Sequence, residues 1–96
     1  MNKVYKIFYC GSNEIVFILQ TEGDDDYWWW AVDKEDVVDR CGHWDINQSE
    51  AEEFANDERN ELLGVSCSGD FKTIEDAVND CTKFDMTEWI GIYENN

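Results

Sequence analysis

The chain has 96 residues, the size of one small domain, which excludes a two-domain enzyme. Its 23 Asp and Glu face 7 Lys and Arg, a net charge of −16, so it repels phosphate backbones and nucleic acid is excluded as a direct partner. With 43% hydrophobic and 15% aromatic residues it carries a buriable core, unlike an acidic disordered tail.

There is no proline, no low-complexity linker and no internal repeat, so residues 1–96 read as a single compact domain. The start, Met-Asn-Lys-Val-Tyr-Lys-Ile-Phe-Tyr-Cys, lacks the apolar core and small-residue cleavage site of a signal peptide. The longest apolar runs, such as Ile15 to Leu19, are too short to span a bilayer. A soluble, cytoplasmic chain with no membrane partner is expected. Lys3 to Tyr9 alternates Val4, Lys6 and Phe8 with Lys3, Tyr5, Ile7 and Tyr9, predicting a strand with one wetter face. Gly11-Ser12-Asn13 predicts a turn. The run from Glu14 to Gln20 suits a strand buried on both faces, closing a hairpin. The acidic turn Gly23-Asp24-Asp25-Asp26 leads to a third strand, Tyr27 to Val32.

Asp33 is placed to cap a short helix with Glu35 and Asp36 in its first turn and Gly42 beyond its end. Ser49-x-x-Glu52 reads as a capping box for a second helix, with Ala51, Phe54, Ala55 and Leu62 on one face until Gly64 stops it. Thr73-x-x-Asp76 opens a third, with Ile74, Ala77, Val78 and Cys81 as a core-facing stripe. Thr87 to Tyr93 predicts a last strand. The expected fold class is α+β: a small antiparallel sheet of three to four strands with two to three helices packed on one side.

The acidity is localised. Residues 1–20 sum to +1, residues 21–61 hold fifteen acids and three bases, and the remainder sums to −5. On the helix expected from Ser49 to Gly64, Glu50, Glu53, Asp57 and Glu61 recur at spacings that align four carboxylates in a stripe. Like charges at i, i+4 destabilise a helix, and a face made only for solubility mixes signs. Sixteen charges match about 27 Å of duplex DNA, at one charge per about 1.7 Å of axis. A compact chain of this length is about 30 Å across. Its charge per unit length is therefore comparable with that of DNA.

Tyr27-Trp28-Trp29-Trp30 follows the acidic turn directly. In a strand Trp28 and Trp30 share one face, Tyr27 and Trp29 the other. These tryptophans are expected as partner anchors or as support for them, within a rim of carboxylates. Trp44 is a second candidate.

Catalytic motifs are missing. His43 is the sole histidine, no phosphate-binding glycine loop, G-x-S-x-G or H-E-x-x-H occurs, and an EF-hand read from Asp24 has Trp29 at its glycine position. The chain is expected to be no enzyme and to need no cofactor. Cys10, Cys41, Cys67 and Cys81 form no C-x-x-C pair and read as small buried hydrophobes. Cys41 and His43 are the nearest approach to a metal pair, without the paired knuckles of structural zinc.

In small size, strong acidity and absence of catalytic motifs the chain resembles phage-encoded anti-defence inhibitors, the DNA-mimic anti-restriction and anti-CRISPR proteins. The resemblance is one of composition. It implies a bacterial host cell and a protein partner that is a basic nucleic-acid-binding protein or nuclease complex. Carboxylates standing in for phosphates would steer association, and aromatic anchors would slow dissociation. The expected partner-binding residues are Asp24, Asp25, Asp26, Trp28, Trp29, Trp30, Glu50, Glu53, Asp57 and Glu61. The alternatives are an immunity protein or antitoxin against a basic nuclease toxin, and an acidic structural or regulatory module. Exposed aromatics would also suit a homodimer.

Overall fold

The computed structural model of the chain describes residues 1–10, 13–67, 69–85 and 89–94, with side chains over 1–7, 13–67 and 69–81. The three β-rich runs form strands β1 (Asn2–Cys10), β2 (Glu14–Thr21) and β3 (Tyr27–Asp33). Helices α1 (Lys34–Cys41) and α2 (Gln48–Asn56) follow, then a 3-10 turn at Glu58–Asn60 and the two-residue strand β4 (Val65–Ser66). Helix α3 (Ile74–Asp85) leads to strand β5 (Trp89–Glu94). The predicted turn at Gly11-Ser12 and the predicted strand start at Thr87 lie outside the described residues.

The sheet is antiparallel, ordered β4-β3-β2-β1-β5, so four strands of six residues or more carry a two-residue fifth at one edge. The class is α+β, as the sequence predicts. The helices, however, do not share one side. Val37 of α1 and Ala51 and Phe54 of α2 join Val4, Ile7, Ile15, Phe17, Leu19, Trp30 and Val32 in one cluster. Ala77 and Cys81 of α3 join Val16, Ile18, Trp29 and Ala31 in another. Both faces of β2 are apolar, so each needs a cover; α3 supplies the second one as the chain crosses from β4 to β5.

β1 breaks its predicted alternation. Its register against β2 slips between Val4 and Lys6, so Val4 and Ile7, three apart, both reach the α2-side core. A one-residue bulge reverses the phase of everything after it. Tyr5 turns to the other face, where its ring meets Tyr27 edge-on at 5.4 Å.

Two helix signals also move. Asp33 occupies the N-cap of α1 but its side chain makes no capping bond. The capping box of α2 is Asn47 with Glu50, not Ser49 with Glu52: Asn47 Oδ1 accepts from the Glu50 N–H at 2.9 Å, and the Asn47 N–H donates to Glu50 Oε1 at 3.2 Å. Helix α2 ends at Asn56, well before Gly64. There the Asp57 carboxylate accepts from the Arg59 N–H, and Asn60 Nδ2 donates to the Phe54 carbonyl at 3.2 Å, which replaces helical hydrogen bonds by a tighter turn. Gly64 instead lies against β3 with φ +67, where a side chain would overlap the Ala31 carbonyl.

The α2-side core centres on Phe17, Trp30 and Phe54, with ring centroids 5.4 to 5.8 Å apart. This trio fixes α2 to the sheet and so sets where the acids on and after α2 stand.

Candidate functional site

Because α2 stops at Asn56, the four-carboxylate stripe does not lie on one helix. Glu50 and Glu53 are on α2, Asp57 begins the 3-10 turn and Glu61 follows it. The fold nevertheless brings most of the expected residues into one band. Asp24 and Trp28 share a shallow depression with Asp70. Trp28 then walls a second depression, of about 360 Å³, together with Trp30, Asp57, Glu58 and Glu61. Asp57 also lines a third, of about 420 Å³, with Glu50 and Glu53. The band therefore runs from the β2–β3 turn past an indole to α2.

Its carboxylates differ in availability. Asp26 is held by Lys72 Nζ at 2.8 Å, on the α3 side of the turn. Asp57 takes a bidentate grip from Arg59, with Nη2 to Oδ2 at 2.6 Å; the Arg59 side chain, then its backbone N–H, drive the Asp57 carboxyl down to about 2. Glu50 is committed to capping Asn47 and to His43, and both hold its carboxyl below the usual range, the Asn47 N–H more strongly. Asp24, Asp25, Glu53 and Glu61 form no ion pair among the described residues. Of the expected residues, these four are the charges best able to meet a cationic partner.

The tryptophans divide as the strand period predicts, Trp28 and Trp30 toward one cluster and Tyr27 and Trp29 toward the other. Trp29 and Trp30 are 2% and 5% exposed, so they support the site from within and are not surface anchors. Their indole donors are spent inside the protein, on Asp80 Oδ2 at 2.8 Å and the Leu63 carbonyl at 2.7 Å. Trp28 is half-buried, its ring fixed by donation from Nε1 to Thr21 Oγ1 at 3.2 Å. Trp44 is more open and packs under Lys34, whose Nζ lies 4.0 Å from the ring centroid.

His43 sits between two carboxylates, with Nδ1 2.8 Å from Asp45 Oδ1 and Nε2 2.6 Å from Glu50 Oε2. Ionised carboxylates only accept, so only the doubly protonated imidazolium serves both at once. The Asp45 bond, followed by the Glu50 bond, raises the pKa of His43. Cys41 is half-buried; its burial, reinforced by Glu50 and Glu53, pushes the thiol up and away from nucleophilic thiolate. Cys81 is buried as expected, Cys67 is half-buried, and the side chain of Cys10 lies outside the described residues. Among the described residues no group of three His, Cys, Asp or Glu is placed to hold a metal ion. Likewise, no described helix is long and apolar enough to cross a membrane.

Sequence reasoning saw Glu58 as a flank of the stripe without counting it a partner-binding residue, and missed Asp70, which joins the band through tertiary structure, and the exposed apolar side chains beside it. Leu62, read as helix core, is 91% exposed, and Met1 is 83% exposed. The early end of α2 accounts for Leu62; the Asp-x-Arg-Asn stretch at residues 57–60 was the available signal. Comparison with known protein families, curated proteins and solved structures gives no match.

Proposed function

We propose that this chain is a non-enzymatic acidic inhibitor that binds the basic nucleic-acid-binding surface of another protein, in the manner of DNA- or RNA-mimic anti-restriction and anti-CRISPR proteins. The observation that carries the reading is the band itself: Asp24 and Glu61 border depressions walled by the half-buried Trp28, Glu53 continues the band on α2, and none of the three forms an ion pair among the described residues. Dense negative charge draws a cationic groove at long range and raises the association rate. An indole at the centre of the contact then adds short-range attraction that slows dissociation. A chain measuring 33 × 29 × 25 Å is of a size to fill a groove that otherwise holds about one turn of duplex nucleic acid.

The test begins with affinity capture from nuclease-treated bacterial lysate and asks whether duplex DNA or RNA displaces the captured protein. With that target purified, Glu53→Lys with Glu61→Lys is expected to weaken binding about tenfold or more and to flatten its salt dependence, as loss of rim charges does. Glu75→Lys on α3, outside the band, should change it far less. No nucleic-acid-displaceable partner, or an affinity indifferent to salt and to the double reversal, would leave the acidity as a solubility feature and overturn the reading.

A further inference from the structure

We infer that the groove of about 360 Å³ beside Trp28 seats a single arginine side chain of the protein partner. This rests on the proposed function and names the chemistry of its central contact. The groove joins two features that seldom adjoin on a surface carrying only solubilising charge. Its lining is partly aromatic, with the half-buried Trp28 and the edge of the nearly buried Trp30. Both indole N–H groups are already bonded, to Leu63 O and Thr21 Oγ1, so neither indole offers the groove a donor, and the accessible aromatic surface is that of Trp28. Its rim is acidic, and its charges are not equally occupied. Arg59 holds Asp57, whereas Glu58 and Glu61 form no ion pair among the described residues.

Charge complementarity selects the occupant. A phosphate or an acidic peptide is repelled. A purely apolar side chain would desolvate Glu58 and Glu61 with nothing in return, at a cost that hydrophobic burial in a shallow groove does not offset. A cation satisfies the carboxylates and is attracted to the negative ring face within about 6 Å of its centroid. Arginine meets both demands together, since its planar guanidinium stacks on an indole while its forked N–H groups reach two carboxylates. Lysine meets them less well because its ammonium is compact and strongly hydrated. Met1 and Leu63 line the same groove and supply apolar surface for the arginine stem. Elsewhere the chain already makes this type of contact with its own residues, Lys34 over Trp44 at 4.0 Å.

The experiment titrates the intact chain with three blocked peptides, acetyl-Gly-Arg-Gly-amide and its lysine and citrulline counterparts, and follows the indole N–H signals by two-dimensional NMR. Trp28→Phe assigns the Trp28 signal. Saturable movement of that signal is expected with the arginine peptide, less with lysine and none with neutral citrulline. Glu58→Gln with Glu61→Gln, both at exposed positions with no ion pair to lose among the described residues, should weaken the arginine titration about three- to tenfold. Shifts no larger at the Trp28 signal than at the other indole N–H signals, or a titration unchanged in the double variant, would overturn the inference. The two proposals fail separately. A nucleic-acid-displaceable partner together with no arginine titration at the Trp28 signal overturns the arginine seat alone. Arginine binding at Trp28 with no such partner overturns the inhibitor reading alone.

Discussion

His43 is the side chain whose charge changes nearest to neutral pH, and its two carboxylate partners turn that change into a local stability term. Its pKa is raised above the ordinary 6.5 by Asp45 and then Glu50. Stabilisation from this source is complete below 6.5 and disappears as pH rises through the raised value. Asp45 is lowered from 3.8 by His43, and Glu50 from 4.5 by Asn47 and then His43, so their contributions are complete above those values and fade on acidification through the lowered ones. The clamp therefore acts fully between about pH 4.5 and 6.5. Solvent access keeps the effect small. We expect the melting-temperature difference between the parent and His43→Gln to be widest in that window and to close as pH rises past the raised value. A difference that stays constant from acid to alkaline pH would show that the bonds to Asp45 and Glu50 are not what His43 contributes. Deprotonation also removes one positive charge from beside Glu50, so the α2 end of the band becomes more negative as the clamp releases.

Among the elements, α2 decides where half the band stands, and its start and end were not equally readable. The sequence offers two polar starts three residues ahead of an acid, Asn47-x-x-Glu50 and Ser49-x-x-Glu52, and composition alone does not choose between them. Packing chooses: the Asn47 start turns Ala51 and Phe54 into the core beside Phe17 and Trp30, and it frees Glu52 to accept from the Val4 N–H of β1 at 2.9 Å. Asn47→Ala should accordingly cost about 1 kcal/mol in urea unfolding, the usual worth of an N-cap. Ser49→Ala, at an exposed position inside the first turn, should stay within about 0.5 kcal/mol. Equal losses would contradict the assigned cap. The strands were easier to read, because Ile15 to Leu19 and Tyr27 to Val32 combine apolar, β-branched and aromatic residues over a length that suits a strand. Helix periodicity identified α3 and its buried stripe, yet a stripe states only that a helix has a cover, not which face of the sheet it covers. That choice follows from the crossover between β4 and β5, a long-range fact. The same holds for the site: Trp28 comes beside Asp24 and Asp70 in one depression and beside Asp57 and Glu61 in the next only through long-range packing, so the residue types were visible and their grouping was not.

At the scale of the whole molecule, −16 within 33 × 29 × 25 Å sets two salt responses of opposite sign. At 0.01 M salt the screening length is about 30 Å, so nearly every carboxylate repels every other; at 0.1 M it is about 10 Å and only neighbours interact. Folding gathers these charges, so self-repulsion opposes the native state and screening relieves it. A relief of about 1 kcal/mol raises the melting temperature of a domain this size by about 4–8 °C. We expect a rise of that order between 0.01 and 0.1 M sodium chloride, with little further gain beyond. Association with a cationic groove responds the other way, because the same screening weakens attraction between the band and its partner. Increasing salt should then release the partner while the free chain becomes more resistant to heat, so the release is not attributable to unfolding. A melting temperature that does not change with salt would mean that the ion pairs of Asp26, Asp57 and the His43 clamp already offset the repulsion. The surplus charge ascribed to Asp24, Asp25, Glu53 and Glu61 would then be too small to steer a partner.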